Sequence, residues 1–201
     1  KAFSAGNDLK FAASGQKSPV PMPSSGFGGL TSRYDLYKPV IAAVNGFAMG
    51  GGFEIALATD IIIAAENAKF ALPEPKVGFA ALASGMHRLP RQVPLKKAMG
   101  MMLTGRTVSA AEGKEIGFVT EVVAQGKALE EAKRWAGMIL ECSPMAIKAT
   151  KETVLTGLNT ADLKTAFETR VPGIGKLLAS ADHKEGPKAF AEKRKPVWRG
   201  T

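Results

Sequence analysis

Residues 40–65 read VIAAVNGFAMGGGFEIALATDIIIAA, and the order of signals in this stretch decides the fold class. Val40–Val44 is a short, β-branched run of the kind that forms a buried strand. Asn45-Gly46 turns the chain, and Gly50-Gly51-Gly52 opens a helix over FEIALATD with Phe53, Ile55, Ala56 and Leu57 as its apolar residues. Asp60 ends that helix and Ile61–Ala65 reads as a second buried strand. Buried strands alternating with helices predict an α/β protein with parallel pairing.

The same alternation extends outward. Upstream, Ala2–Leu9 reads as a strand end passing through Ala5-Gly6-Asn7 into a turn. Residues 14–30 (SGQKSPVPMPSSGFGGL) form a Pro/Gly/Ser-rich loop too long for an ordinary connector, and lids are drawn from such segments. Downstream, Ala68–Leu72 is a third strand, broken by Pro73-Glu74-Pro75. Gly78–Gly85 turns into a helix ending near Arg91, and Leu95–Leu103 is an amphipathic helix. Ser109-Ala110-Ala111-Glu112 has capping-box spacing and opens a helix closing at Gly117. Val119–Val123 is a strand. From about Ala128 the signal is helical throughout, ending in KEGPKAFAEKRK. Residues 1–125 are therefore expected to form an α/β core and 126–201 a helical region.

Composition bounds the function. Of 201 residues, 45% are apolar and 22% charged, which excludes wholesale disorder. Aromatics make up only 7%, so the core is expected to consist mainly of Ala, Val, Ile, Leu and Met. Cys142 is the single cysteine, which excludes an intrachain disulfide and a cysteine zinc cluster and fits a reducing compartment. No clean apolar run approaches the ~18 residues of a membrane span. The net charge of +9 suits a solvated basic surface, or one that receives nucleic acid or a phosphorylated small molecule. The chain opens at Lys1 without Met and runs directly into an apolar segment, so an N-terminally incomplete chain is expected.

Three features concentrate chemical potential. In NGFAMGGGFE (residues 45–54) the triple glycine lets backbone N–H groups approach a ligand at the positive end of a helix, which suits a phosphate or a developing oxyanion. Tight strand–helix packing explains the same glycines, and the stretch lacks a P-loop ending and a dinucleotide fingerprint. Glu54 and Glu74 form the second feature. Each has an ordinary role, as dipole complement and turn acid, yet one strand–turn return would bring Glu74 beside the start of the Glu54 helix. Two carboxylates beside an anion hole can divide acid and base work. The third is Ala5-Gly6-Asn7-Asp8, either a plain turn or a second source of N–H donors, with Asn7 and Gly51 as the pair.

FSAGNDLK (3–10), KPVIAAVNGFAMGGGFEIALATD (38–60), FALPEPKVG (70–78), MLTGRTVSAAEGKEIGFVTEVV (102–123) and SADHKEGPKAFAEKRKP (180–196) together resemble, in order and spacing, the enoyl-CoA hydratase (crotonase) family. The resemblance implies a spiral of ββα units followed by a helical region that mediates trimer formation, often as a dimer of trimers. It implies an acyl-CoA substrate, no metal or redox cofactor, and an oxyanion hole made by the N–H groups of Asn7 and Gly51. Glu54 and Glu74 match the two acids that hold and activate water. Lys1, Ala5, Lys10, Phe190 and Lys193 match coenzyme A contacts, the last two often serving a neighbouring subunit. Further residues upstream of Lys1, completing the first strands and the coenzyme A site, are implied as well.

One departure concerns FAALASGMHRLPR (79–91): Ala81 and Leu82 stand where the family usually has Pro and Gly, and Phe79 and Leu82 are expected to shape the acyl pocket. A hydrolytic Ser84–His87 pair lacks a third orienting acid. The expected activity is reversible syn addition of water to a 2-enoyl-CoA in fatty acid metabolism. The alternatives are a dehydratase or isomerase for a functionalised acyl-CoA such as carnitinyl-CoA, an RNA-binding homologue, and a catalytically silent assembly subunit. Scattered lysines without interleaved aromatics make nucleic acid an unexpected partner. The expected compartment is the cytoplasm, with the mitochondrial matrix as the other candidate.

Overall fold

A computed structural model describes residues 1–16 and 20–201, so residues 17–19 of the long loop lie outside the described residues. The strands are β1 (Ala2–Ser4), β2 (Ile41–Val44), β3 (Phe47–Met49), β4 (Ile61–Ala65), β5 (Lys69–Ala71), β6 (Val108–Ser109) and β7 (Glu121–Val123). They form two sheets, ordered β1-β3-β5-β6 and β2-β4-β7. Each turn of the spiral gives one strand to each sheet: β2 then β3, β4 then β5. All pairings are parallel except β5 with β6. Parallel strands need a crossover between them, which the helices supply: α1 (Leu9–Ala13), α2 (Gly51–Leu57), α3 (Gly85–Gln92), α4 (Leu95–Thr104) and α5 (Ala110–Ile116).

The chain divides into two compact units, Lys1–Tyr34 with Val40–Arg134, and Asp35–Pro39 with Trp135–Thr201. The first unit's core is largely aliphatic, but its centre is aromatic. Phe53 of α2, Phe70 of β5 and Phe118 meet with ring centroids 5.0–5.2 Å apart. Burying each ring contributes about 1.5–3 kcal/mol, and the tilted, edge-directed contacts add to that.

Several elements differ from the sequence expectation. Phe47–Met49, between the Asn45-Gly46 turn and the triple glycine, forms a further strand because β1 and β5 flank it on either side. The turn after Asn7 leads into helix α1, where Asp8 Oδ1 accepts from the N–H groups of Lys10 and Phe11 at 2.9 and 3.2 Å. Ser109 caps α5 by accepting from Glu112 N at 3.1 Å. The Glu112 carboxylate does not complete a capping box; it takes a two-pronged contact from Arg106 at 2.5 and 3.1 Å.

The second unit contains the end of α6 (Ala128–Leu140), then α7 (Pro144–Gly157), α8 (Leu163–Glu168), α9 (Pro172–Ala179) and α10 (Ala181–Ala191). The last helix begins at the Ser180 cap and stops before EKRK. Lys193 is left-handed (φ 52°), and Arg194 folds back onto Glu185 at 2.6 and 3.0 Å. Buried Asp182 organises the chain's end. It accepts from Ser143 Oγ (2.8 Å), Arg199 N (2.8 Å) and Gly200 N (3.1 Å). Burial by itself would raise its pKa, but these hydrogen bonds outweigh burial and hold it below the ordinary aspartate value.

A carboxyl held low stabilises the fold above the ordinary aspartate range and loses that contribution as pH falls through its folded pKa. Asp182→Ala is therefore expected to cost about 3 kcal/mol in denaturant unfolding at neutral pH, since it orphans three donors. The deficit should shrink as the solution is acidified.

Candidate active site

The site is built where main chain meets main chain. Gly6 is left-handed (φ +82°), and a Cβ there would stand 2.7 Å from Met49 O and 2.8 Å from Gly51 N. A Cβ on Gly52 would collide with the carbonyl of Ser4. Only glycine admits both approaches. They press the end of β1 against the first turn of α2, so that Asn7 and Gly51 line one cavity. Gly51 opens α2, where helix geometry leaves its N–H without an intrahelical acceptor. Among the described residues, no protein acceptor takes the N–H of Asn7 or of Gly51.

The two carboxylates arrive on different elements. Glu54 lies in the first turn of α2 and is 3% exposed. Glu74 follows β5, and the register that sets Met49 opposite Ala71, with Gly50 N donating to Ala71 O at 2.9 Å, returns it beside α2. Its Oε1 would lie 3.0 Å from a Cβ on Gly50. Glu54 Oε1 accepts from Gly85 N at 2.8 Å, whereas Glu74 Oε2 is buried with no partner among the described residues.

Their electrostatics differ accordingly. Burial pushes both pKa values above the ordinary glutamate value. The Gly85 amide opposes this at Glu54 by favouring its ionised form, while the neighbouring Glu74 charge adds to the rise. At Glu74 burial is opposed only by its own backbone N–H. Two neighbouring carboxyls raised by burial in a partly desolvated cavity are suited to proton exchange.

The cavity has a volume of about 460 Å³. It collects Ala5, Asn7, Gly51, Glu54, Glu74, Phe79 and Leu82 of the sequence candidates. Phe79 and Leu82 remain 58% and 78% exposed at its mouth. Lys1 and Lys10 are exposed and do not line it. Phe190, on α10, is 87% exposed, and Lys193 is exposed in the turn that follows; both belong to the helical unit. His87 is exposed, and the Ser84 hydroxyl receives a hydrogen bond from Arg88 Nε at 3.0 Å. Sequence reading missed the walls that Met22 and Phe27 supply from the long loop and Thr31 from just beyond it, although that loop's length was the available signal. It also missed Gly85 as the partner of Glu54. Among the described residues there is no cluster of side chains able to hold a metal ion, and no helix is long and apolar enough to cross a membrane.

The family model for enoyl-CoA hydratase/isomerase matches residues 1–201. The chain belongs to that family. Its relatives include a carnitinyl-CoA dehydratase from Salmonella enteritidis, 46% identical over all of this chain and 78% of the relative. Among solved structures, an enoyl-CoA hydratase from Mycobacterium marinum aligns with a TM-score of 0.91 at 40% identity, covering 100% of this chain and 77% of the other. One from Mycobacterium tuberculosis aligns at 0.89 and 39%, covering 98% and 76%. The crotonase fold expected from the sequence is thus the fold of this chain.

A carboxyl whose folded pKa lies above its unfolded value loses stability for the fold as pH rises from the ordinary glutamate range to the raised value. Glu54→Gln keeps a carbonyl oxygen for Gly85 N–H and removes the buried charge. It is expected to raise the melting temperature at neutral pH, with the gain vanishing below the ordinary glutamate range. Calorimetry across pH checks this.

Proposed function

We propose that the protein catalyses reversible syn addition of water across the double bond of a 2-enoyl-CoA thioester. The observation that carries this is the meeting of Glu54 and Glu74, from separate elements, beside the N–H groups of Asn7 and Gly51, which have no acceptor among the described residues. The two amides accept the thioester carbonyl and stabilise the enolate-like charge that develops on its oxygen. Glu54, oriented by Gly85 N–H, takes a proton from water as its oxygen attacks Cβ. Glu74, whose unpartnered oxygen favours the protonated form, delivers a proton to Cα on the same face. The route uses side chains and backbone alone, without a metal or redox cofactor.

A second reading, dehydration or double-bond shift on a functionalised acyl-CoA, is favoured by two observations. One is the 46% identity to a carnitinyl-CoA dehydratase. The other is the mouth built by Phe79 and Leu82, which sets what the acyl chain meets. In either case Lys1 and Lys10, with the backbone near Ala5, are proposed to receive the coenzyme A moiety, and Phe190 and Lys193 of the helical unit to reach the coenzyme A of a neighbouring subunit. The exposed apolar side chains of the helical unit, Leu163 and Phe167 among them, suit assembly into a trimer or a dimer of trimers. The proposed compartment is the cytoplasm.

The test is loss of the ultraviolet absorbance of crotonyl-CoA as the conjugated bond is hydrated, with wild type, Glu54→Gln and Glu74→Gln compared. Each variant is expected to lower kcat by about 10²–10⁴-fold, the usual worth of a positioned acid or base. Unchanged turnover in either variant would overturn the two-carboxylate mechanism. Absence of turnover in a folded wild type that binds crotonyl-CoA would favour the second reading.

A further inference from the structure

The geometry points to Arg88 as a positioning residue that ties together the two cavity walls on which Glu54 and Gly51 depend. Arg88 lies on the first turn of α3 and is partly buried. Its Nε donates to Ser84 Oγ at 3.0 Å and its Nη2 donates to the Thr31 carbonyl at 3.3 Å. Each bond reaches a segment that itself touches a reacting group.

The first segment is the start of α3. Ser84 precedes the helix in a left-handed conformation (φ 83°), which a residue bearing a Cβ adopts only when its surroundings impose it. That conformation directs the next amide, Gly85 N–H, onto Glu54 Oε1 at 2.8 Å. The Arg88–Ser84 bond holds the residue there. The second segment runs from Gly26 to Thr31. Its Phe27 ring lies over Gly51, close enough that a Cβ on Gly51 would stand 2.5 Å from Cε1. Thr31, at the end of this segment, is fully buried and gives its carbonyl to Arg88.

One planar guanidinium therefore sets the separation between the wall that aims the carboxylate and the wall that packs on the oxyanion glycine. The fixed fork of arginine suits this role; a lysine ammonium fixes no second direction. Burial works against the charge of Arg88 and lowers its pKa, a cost that the nearby Asp60 carboxylate offsets only in part. The far end of α3 is held independently, by Gln92 Nε2 donating to Leu57 O at 2.9 Å and by the buried Leu89. Loss of Arg88 should loosen the front of the helix while leaving it docked.

The assignment rests on the hydratase reading, so its test carries a readout that needs no turnover. Wild type, Arg88→Gln, Arg88→Lys and Ser84→Ala are compared by crotonyl-CoA kinetics, thermal melting and amide hydrogen exchange of peptides spanning residues 26–33 and 81–87. Arg88→Gln is expected to lower kcat about 10–100-fold, the scale of a small misplacement of a reacting group. KM and melting temperature should change little, and both peptides should exchange faster. Arg88→Lys should fall between. Ser84→Ala should loosen only residues 81–87, with a kcat loss of about 3–10-fold.

Unchanged kcat and exchange in Arg88→Gln overturn the assignment, as does an exchange increase spread evenly over the protein. Should Arg88→Gln fail to fold, Ser84→Ala decides by the same two readouts. If wild type does not hydrate crotonyl-CoA yet both peptides loosen in Arg88→Gln, the tie between the walls stands and the hydratase reading falls.

Discussion

Main chain packed directly against main chain is the constraint on which the rest of this structure depends. The carbonyl of Ser4 sits where a Cβ on Gly52 would be, and Gly6 abuts the amide of Gly51. Because nothing intervenes, two amides from segments about 45 residues apart in sequence face one cavity with a separation fixed by backbone geometry. Side-chain donors could reach the same place, but each would need its rotamer held by further contacts. Here the cost is moved into sequence: glycine is obligatory at positions that otherwise look unremarkable in a turn.

The acidic pair follows a different logic. Glu54 is buried and Glu74 partly buried, against the preference of both for water, and burial pushes each towards its protonated form. The fold offsets this unequally, giving Glu54 the Gly85 amide and leaving one oxygen of Glu74 without a partner among the described residues. That asymmetry gives two chemically identical side chains different surroundings, the condition under which the proposed mechanism can assign them opposite roles. The core beneath, centred on Phe53, Phe70 and Phe118, supplies the stability that such strained electrostatics consume.

Much of this was legible in the sequence because its signals are local. The buried strands at Ile41–Val44 and Ile61–Ala65, the helix after the triple glycine, and Ser109 as a helix cap follow from neighbouring residues alone. The return of Glu74 to α2 was inferable from a single strand–turn unit. What escaped depends on distant partners. Phe47–Met49 is a strand only because β1 and β5 flank it, and Gly85 becomes the partner of Glu54 only once residues 31 apart in sequence meet. The walls donated by Met22 and Phe27, with Thr31 just beyond, were hidden for the same reason, since a Pro/Gly-rich loop announces its length but not its destination. Asp8 as the cap of α1 was local and was still missed, because five residues, too short for a periodic pattern, follow it.

The segment from Phe79 to Ala83 has its backbone fastened at both ends, by Phe79 N donating to Glu74 O at 3.0 Å and by Gly85 N on Glu54, while Phe79 and Leu82 stand at the cavity mouth. Its anchors are main-chain and carboxylate atoms, which are indifferent to the identity of those two side chains. Natural variation can therefore exchange the surface presented at the cavity mouth without disturbing the carboxylates or the amides behind it. The lining of the mouth and the polar groups behind it are in this way separately heritable, a division that lets one scaffold change its opening while its interior is kept.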